Sequence, residues 1–136
     1  MQDCIFCKIV RGELPSFKVF EDEHVLAFMD IEPVAVGHVL VIPKEHAMNL
    51  YDASEESIAQ AFSAAHRIGP RVANAVGAEG FHITMNNGEA AWQTVFHPHI
   101  HILPRYPGDN HDPWKKHQRS REELARDAKK IQTLLG

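Results

Sequence analysis

The segment of residues 97–103 constrains the fold of this chain more than any other part of the sequence. It runs His-Pro-His-Ile-His-Ile-Leu, so histidines alternate with proline and isoleucine. Successive side chains of a β-strand point to opposite faces of a sheet. A strand over residues 95–103 would therefore place His97, His99 and His101 on one face, roughly 7 Å apart. We predict a strand that packs against a core with one face and presents imidazoles on the other.

Three imidazoles on one sheet face support two kinds of chemistry, and their spacing alone does not decide between them. Three histidines can hold a catalytic zinc ion and leave its fourth position to water. Alternatively, one neutral imidazole attacks a phosphorus atom while another handles protons, since imidazole titrates near neutral pH. A third interpretation assigns no function, in which a solvent-exposed sheet face carries three histidines by chance. Against it, ten histidines in 136 residues are more than packing requires.

The other strand and helix patterns predict an α+β fold. Apolar and β-branched runs indicate further strands, the first two of them joined as a hairpin. These strands cover residues 18–21, 24–29, 37–42 and 80–86. With residues 95–103 they form an antiparallel sheet of about five strands.

One main helix, a short N-terminal helix and a C-terminal helix complete this fold. Residues 4–10 suit one or two helical turns, and the main helix begins after Ser54, where apolar residues recur at steps of three and four. We expect Gly69-Pro70 to kink or break it, because proline inside a helix costs roughly 3 kcal/mol or more. Ser120 and Glu123 form a capping box for the last helix. Residues 1–136 are expected to form one domain, with a core at about 4–109 and a polar loop and helix over 110–136.

Charge and hydropathy exclude two classes of partner. The formal net charge of −4 argues against a protein that grips long nucleic acid through many Lys and Arg contacts. No apolar run approaches the roughly 20 residues that span a bilayer. The N-terminus lacks the basic start and apolar stretch of a secretory signal, so we expect a cytoplasmic protein with reduced thiols.

Cys4 and Cys7 are the only cysteines, and their spacing is that of a zinc knuckle. Such a pair supplies two of the four ligands of a structural zinc ion. A redox motif and two buried free thiols are the alternatives, while a disulfide is disfavoured in a reducing compartment.

Several segments together resemble the histidine triad (HIT) family. Besides residues 97–103, the similar segments are Asp30-Ile31, residues 37–46 (Gly-His-Val-Leu-Val-Ile-Pro-Lys-Glu-His), 85–88 (Met-Asn-Asn-Gly), 93–96 (Gln-Thr-Val-Phe) and 103–105 (Leu-Pro-Arg). Their order and spacing are similar to those of the Hint-like bacterial branch, and the resemblance extends over about residues 4–109. It implies a HIT-like fold and a homodimer whose sheets join across the interface.

The resemblance also implies catalytic roles. His99 would be the nucleophile that takes a nucleotidyl group as a phosphoramidate, and His101 would contact the phosphate oxygens. His38 would orient His99 through a relay of hydrogen bonds. Thr94 would supply a hydroxyl where the Hint-like branch often has serine, while Trp92 is a departure that would alter the leaving-group side of the pocket.

The implied nucleotide pocket combines polar and apolar side chains. Asp30 would accept hydrogen bonds from the ribose hydroxyls. Asn86, Gln93 and Thr94 would reach the phosphate or the leaving group. An apolar slot for the base would be formed by residues that, without the resemblance, we would assign to the core: Ile5, Phe6, Ile9, Phe28 and Ile31.

In HIT proteins that carry the cysteine pair, the resemblance implies a structural zinc site. His46 and His97 would complete a Cys2His2 set with Cys4 and Cys7. His97 would then be committed to the metal and excluded from the relay. The remaining histidines are assigned no chemistry: His24, His66, His82, His111 and His117.

The expected function is hydrolysis or transfer at the α-phosphate of nucleoside phosphoramidates or dinucleoside polyphosphates, with a purine nucleotide (AMP or GMP moiety) as substrate and a covalent nucleotidyl-histidine intermediate. No organic cofactor is expected. Because protonation abolishes nucleophilicity, activity should fall as pH drops through the imidazole range. The alternatives are a zinc-dependent hydrolase that uses the three-histidine face, and a nucleotide-binding regulatory module with incidental hydrolysis.

Overall fold

The computed structural model describes residues 3–110 and 118–135. Its strands and helices follow the predicted order. They are α1 (Ile5–Val10), β1 (Lys18–Glu21), β2 (Val25–Met29), β3 (Val39–Pro43), α2 (Glu55–Ala75), β4 (Gly80–Met85), a short 3-10 turn (Glu89–Ala91), β5 (Ile100–Arg105) and α3 (Arg121–Leu135). The expectation for His111 and His117 lies outside the described residues.

The five strands form one antiparallel sheet in the order β1-β2-β3-β5-β4. This confirms the predicted α+β class and strand number. Helix α2 packs on one face of the sheet against a buried cluster that includes Val25, Ala27, Val39, Val41, Ile100 and Ile102. Helix α1 packs on the other face against Leu26, Phe28, Leu40 and Ile42. Strands β2 and β3 are therefore apolar on both faces.

The predicted strand over residues 95–103 is wrong in its bounds, because β5 begins only at Ile100 and continues to Arg105. Pairing with β3 ends at the pair Val41–Ile100. Continuing the register would bring Pro98 opposite Pro43, and neither residue has an N–H to donate. Of the three histidines only His101 lies in the strand.

Of the kink or break predicted at Gly69-Pro70, the break is wrong, since α2 runs through both residues. Gly69 is buried against the sheet, and a Cβ atom at this position would lie 2.8 Å from the ring of Phe81. The glycine thus allows close packing of α2 on β4. This packing compensates for the one helical hydrogen bond that Pro70 cannot make.

Helix α3 begins with the predicted capping box. Ser120 N–H donates to Glu123 Oε1 over 2.9 Å, and Glu123 N–H donates to Ser120 Oγ over 3.1 Å. None of its described side chains is buried. Among residues 3–110 and 118–135, no helix has the length and apolar content to cross a bilayer.

Candidate active site and metal centre

The candidate catalytic residues converge on the α1 side of the sheet. Asp30 directly follows β2, and His38 directly precedes β3. The backbone N–H of Asp30 donates to the carbonyl of His38 over 3.0 Å, which holds the two strand ends together. Ile100 and Ile102 point towards α2, so the pleat turns His101 to the opposite face, where its ring meets that of His38.

A backbone carbonyl determines the tautomer of His99. Its Nδ1 lies 2.7 Å from the carbonyl oxygen of His97, and the ring is buried with 6% exposure. A carbonyl can only accept, so Nδ1 carries the proton. In the neutral ring this leaves the lone pair on Nε2, which is the form of imidazole that can attack an electrophile.

Two consecutive hydrogen bonds determine the tautomers of His38 and His101. Val34 N–H donates to Nδ1 of His38 over 3.2 Å, so the proton of neutral His38 is on Nε2. This Nε2 lies 2.8 Å from Nδ1 of His101 and donates to it. The proton of neutral His101 is therefore on Nε2, a buried atom that has no hydrogen-bond partner within the described residues.

Burial keeps these rings neutral. It lowers the pKa of His38 and of His99 below the ordinary value of 6.5 and lowers that of His101 to about 4. Asp30 opposes the shift by its negative charge, since Oδ2 lies 3.4 Å from Nε2 of His38. Its Oδ1 accepts a hydrogen bond from the N–H of Glu32 over 2.8 Å.

The five residues assigned to the base slot divide into two groups. Phe6, Ile9 and Phe28 are buried in the core beneath the histidines, and the ring of Phe6 meets that of His99 edge-on at 5.1 Å. Ile5 and Ile31 are exposed, by 51% and 81%. Only these two present a large apolar surface to a ligand outside the core.

The loop between β4 and β5 is held by the side chain of Gln93. Its Nε2 donates to the carbonyls of Met48 and Val95, over 2.6 and 3.0 Å. Its Oε1 accepts from Asn49 Nδ2 over 3.0 Å and from Gly88 N–H over 2.9 Å. All four bonding positions of the amide are used inside the protein, so Gln93 has no donor left for a phosphate in this conformation.

The two other polar residues predicted to reach the phosphate are less constrained. Asn86 Nδ2 makes one long contact of 3.5 Å with the carbonyl of Trp92, and Thr94 is exposed. Trp92 is 84% exposed and adopts a left-handed backbone with φ of 67°. Sequence reasoning missed Asn49, the buried partner of Gln93, because nothing local marks a residue 44 positions away as its partner.

Replacing Gln93 with alanine should lower the free energy of unfolding by roughly 2 to 4 kcal/mol, because buried donors and acceptors in the two adjoining loops lose their partner. Urea unfolding followed by circular dichroism measures this change. Gln132, exposed on α3, is the matched control, and Gln132→Ala should stay within about 0.5 kcal/mol of wild type. Equal values for the two variants would contradict the structural role of Gln93.

Cys4, Cys7, His46 and His97 form a second cluster at the N-terminus of α1. Their candidate ligand atoms all lie within 4.8 Å of one another. Nδ1 of His97 is 3.5 Å from Cys4 Sγ, 3.6 Å from Cys7 Sγ and 3.3 Å from Nδ1 of His46. Nδ1 of His46 is 3.2 Å from Cys7 Sγ.

These separations match a tetrahedral zinc site. With Zn–S near 2.3 Å and Zn–N near 2.0 Å, a sulfur and a nitrogen lie about 3.5 Å apart and two nitrogens about 3.3 Å. His97 Nε2 donates to the carbonyl of Pro43 over 2.7 Å, which leaves Nδ1 unprotonated and facing the sulfurs. Burial raises the pKa of the Cys7 thiol to about 11, opposite to the lowered pKa of redox-active pairs.

The three-histidine metal site has no counterpart in this geometry. Nδ1 of His97 faces the cysteines, and Nδ1 of His99 donates to a carbonyl. Among the described residues, His97, His99 and His101 form no common ligand group. His24 and His66 are exposed and His82 is half-buried on β4, all three outside both clusters.

Comparison with known proteins agrees with this architecture. Adenosine 5′-monophosphoramidase hnt1 of Schizosaccharomyces pombe is 45% identical over 102 residues, which are 75% of this chain and 74% of that protein. A solved structure of SMU.412c from Streptococcus mutans has a TM-score of 0.94 and 43% identity, covering 100% of this chain and 87% of that chain. A structure described as a Zn-bound histidine triad family protein, from Mycobacterium smegmatis, has a TM-score of 0.78 and 35% identity, covering 98% of each chain.

The family model of the HIT domain matches residues 11–108. This range contains both strand ends that carry Asp30 and His38, the loop held by Gln93 and the whole histidine run. With this match over most of its length and with relatives above 40% identity, the chain belongs to the HIT domain family.

Proposed function

We propose that the chain is a nucleotide hydrolase or nucleotidyl transferase in which Nε2 of His99 attacks the α-phosphorus of a nucleoside phosphoramidate or a dinucleoside polyphosphate. One observation carries this proposal. The carbonyl of His97 holds the proton of His99 on Nδ1 and so leaves the Nε2 lone pair available. The S. pombe relative, an adenosine 5′-monophosphoramidase, supports the same substrate class.

The reaction has two balanced steps. In the first, an Nε2–P bond forms and the P–N or P–O bond to the leaving group breaks. The leaving group takes up a proton from the solvent, and the attacking water of the second step returns one. The ring then carries a positive charge with Nδ1–H still donating to the His97 carbonyl, which stabilises the adduct. In the second step, water breaks the Nε2–P bond and releases the mononucleotide.

His101 is the proposed donor to the phosphate. Its Nε2–H is buried and finds no acceptor among residues 3–110 and 118–135, and a buried unsatisfied donor costs free energy until an acceptor arrives. A non-bridging phosphate oxygen is such an acceptor. The donation strengthens as negative charge accumulates on the oxygens during attack. His38 positions His101 through the 2.8 Å bond between their rings.

Asp30 is the proposed ribose ligand and remains partly open to solvent beside the histidines, with 20% side-chain exposure. The exposed faces of Ile5 and Ile31 are the apolar surfaces available to a purine base. Phe6, Ile9 and Phe28 lie in the buried core beneath His99. Homodimerisation and the cytoplasmic location stay predictions.

We also propose that Cys4, Cys7, His46 and His97 bind a structural zinc ion. The donor set and its separations fit tetrahedral zinc, and a relative of 35% identity is described as Zn-bound. Four protein ligands leave no open coordination position. The four side chains would link the N-terminal helix to the segment that precedes β5.

A trapping experiment tests the proposed reaction. The protein is mixed with adenosine and guanosine phosphoramidates, a dinucleoside polyphosphate or adenylylsulfate, quenched in base and analysed by mass spectrometry. We expect a nucleotidyl adduct on His99 that still forms, although more slowly, after a chelator has removed zinc. If turnover requires added metal and no adduct forms, a metal-dependent hydrolase is favoured instead. Nucleotide binding without turnover of any of these substrates would favour a binding module.

The pH at which kcat/KM falls to half of its plateau should lie below 6.5. Burial lowers the pKa of the nucleophile His99 below its ordinary value of 6.5 and lowers that of His101 to about 4, so both rings are still mostly neutral at pH 6.5. This moves the expected fall to lower pH than the ordinary imidazole range. The free energy of unfolding should decrease as pH falls from about 6.5 to about 4, because over this range the unfolded chain binds protons on histidines that the folded chain keeps neutral. Circular dichroism at each pH separates the two effects, and a rate already halved at pH 6.5 would contradict the assignment.

A further inference from the structure

His97 contributes to both clusters at once. Its Nδ1 belongs to the Cys4–Cys7–His46 group, its Nε2 donates to the carbonyl of Pro43, and its own carbonyl accepts the proton of His99. The metal centre and the nucleophile are therefore separated by a single residue.

The backbone of His97 depends on its side chain for its position. The ladder between β3 and β5 ends at the pair Val41–Ile100, so His97 and Pro98 lie beyond the last paired residues. Pro98 is fully buried and has no N–H to donate. The side-chain contacts of His97 with the cysteine cluster and with Pro43 hold this stretch in place together with the burial of Pro98.

The position of the His97 carbonyl determines whether Nε2 of His99 has a free lone pair and can act as a nucleophile. Without an acceptor at Nδ1, neutral histidine can place its proton on either nitrogen. A proton on Nε2 removes the lone pair that attacks phosphorus. We propose that ligation of a metal through Nδ1 of His97 positions the nucleophile, by holding the carbonyl that keeps His99 in its reactive tautomer. Cys4, Cys7 and His46 are then positioning residues for catalysis and not only stabilising ones.

This inference rests on the proposed role of His99, but its principal readout is independent of turnover. Two-bond 1H–15N spectra of the histidine rings report directly which nitrogen carries each proton. They are recorded for wild-type protein with zinc, after removal of zinc by a chelator, and after zinc is restored. We expect His99 to be protonated on Nδ1 in the presence of zinc and to populate both tautomers after zinc is removed. The Nδ1-protonated form should return when zinc is added.

Two single substitutions form a matched pair. His46→Ala and His97→Ala each remove one imidazole from the metal site, but only His97→Ala disconnects the metal from the carbonyl. At saturating zinc, His46→Ala should keep the Nδ1 tautomer of His99, because His97 still links the metal to its carbonyl. His97→Ala should lose the tautomer and lower kcat on the order of 10- to 100-fold, with a smaller change in KM.

Val10→Ala separates the effect of destabilisation from the effect of losing the metal. It weakens the packing of α1 and leaves all four ligands in place. This variant should be less stable than wild type and keep the His99 tautomer. The proposal is overturned if folded, zinc-free wild type retains the Nδ1 tautomer, or if His46→Ala and His97→Ala lose it equally at saturating zinc. A failure of the proposed reaction would instead appear as a normal tautomer without any nucleotidyl adduct.

Discussion

Replacing His99 with alanine should lower kcat by a factor on the order of 10^4 to 10^6, the range seen when a covalent nucleophile is removed. Without the imidazole, water would have to displace the leaving group directly, and the two easier steps become one difficult step. No nucleotidyl adduct should be trapped. Nucleotide affinity should change far less, because Asp30 and His101 remain in place.

The control for this substitution is His66→Ala, which removes an exposed histidine from α2. Its kcat and adduct yield should equal those of wild type. The nucleophile assignment would be wrong if His99→Ala retained more than a few per cent of wild-type kcat, or if the adduct appeared on another residue.

The second large effect is expected from Cys7→Ser, which should lower the melting temperature by about 10 °C or more. A ligand present at 1,000 times its dissociation constant stabilises a protein by about 4 kcal/mol, and this contribution is lost when the site no longer binds zinc. Serine is a poor substitute, because its hydroxyl is not deprotonated at neutral pH as a coordinating thiol is. Calorimetry measures the melting temperature, and elemental analysis measures the zinc content.

The chelator supplies an internal control for the zinc prediction. It should lower the melting temperature of wild type to about that of Cys7→Ser and should leave the variant itself unchanged. Wild-type protein that contains no zinc, or that melts at the same temperature with and without the chelator, would refute the structural zinc site.

Much of the fold followed from local patterns, which depend on short-range geometry. Apolar and β-branched runs predicted β1 to β4, and the capping box at Ser120 predicted the start of α3. The errors arose where distant residues decide the local structure. The packing of Phe81 against Gly69 keeps α2 continuous. The pairing of β5 with β3 ends before the register would bring Pro98 opposite Pro43.

The candidate site divides in the same way. The sequence by itself determined the residue types, three alternating histidines and a cysteine pair, and through the resemblance it named Asp30, His38 and His46 as their companions. Only the tertiary structure decided which nitrogen of each ring carries its proton and showed that all bonds of the Gln93 amide are used within the loop. The physical reason is that a tautomer is determined by the donor or acceptor that faces each nitrogen, and here those partners are carbonyls, amides and rings whose positions depend on how the strand ends come together.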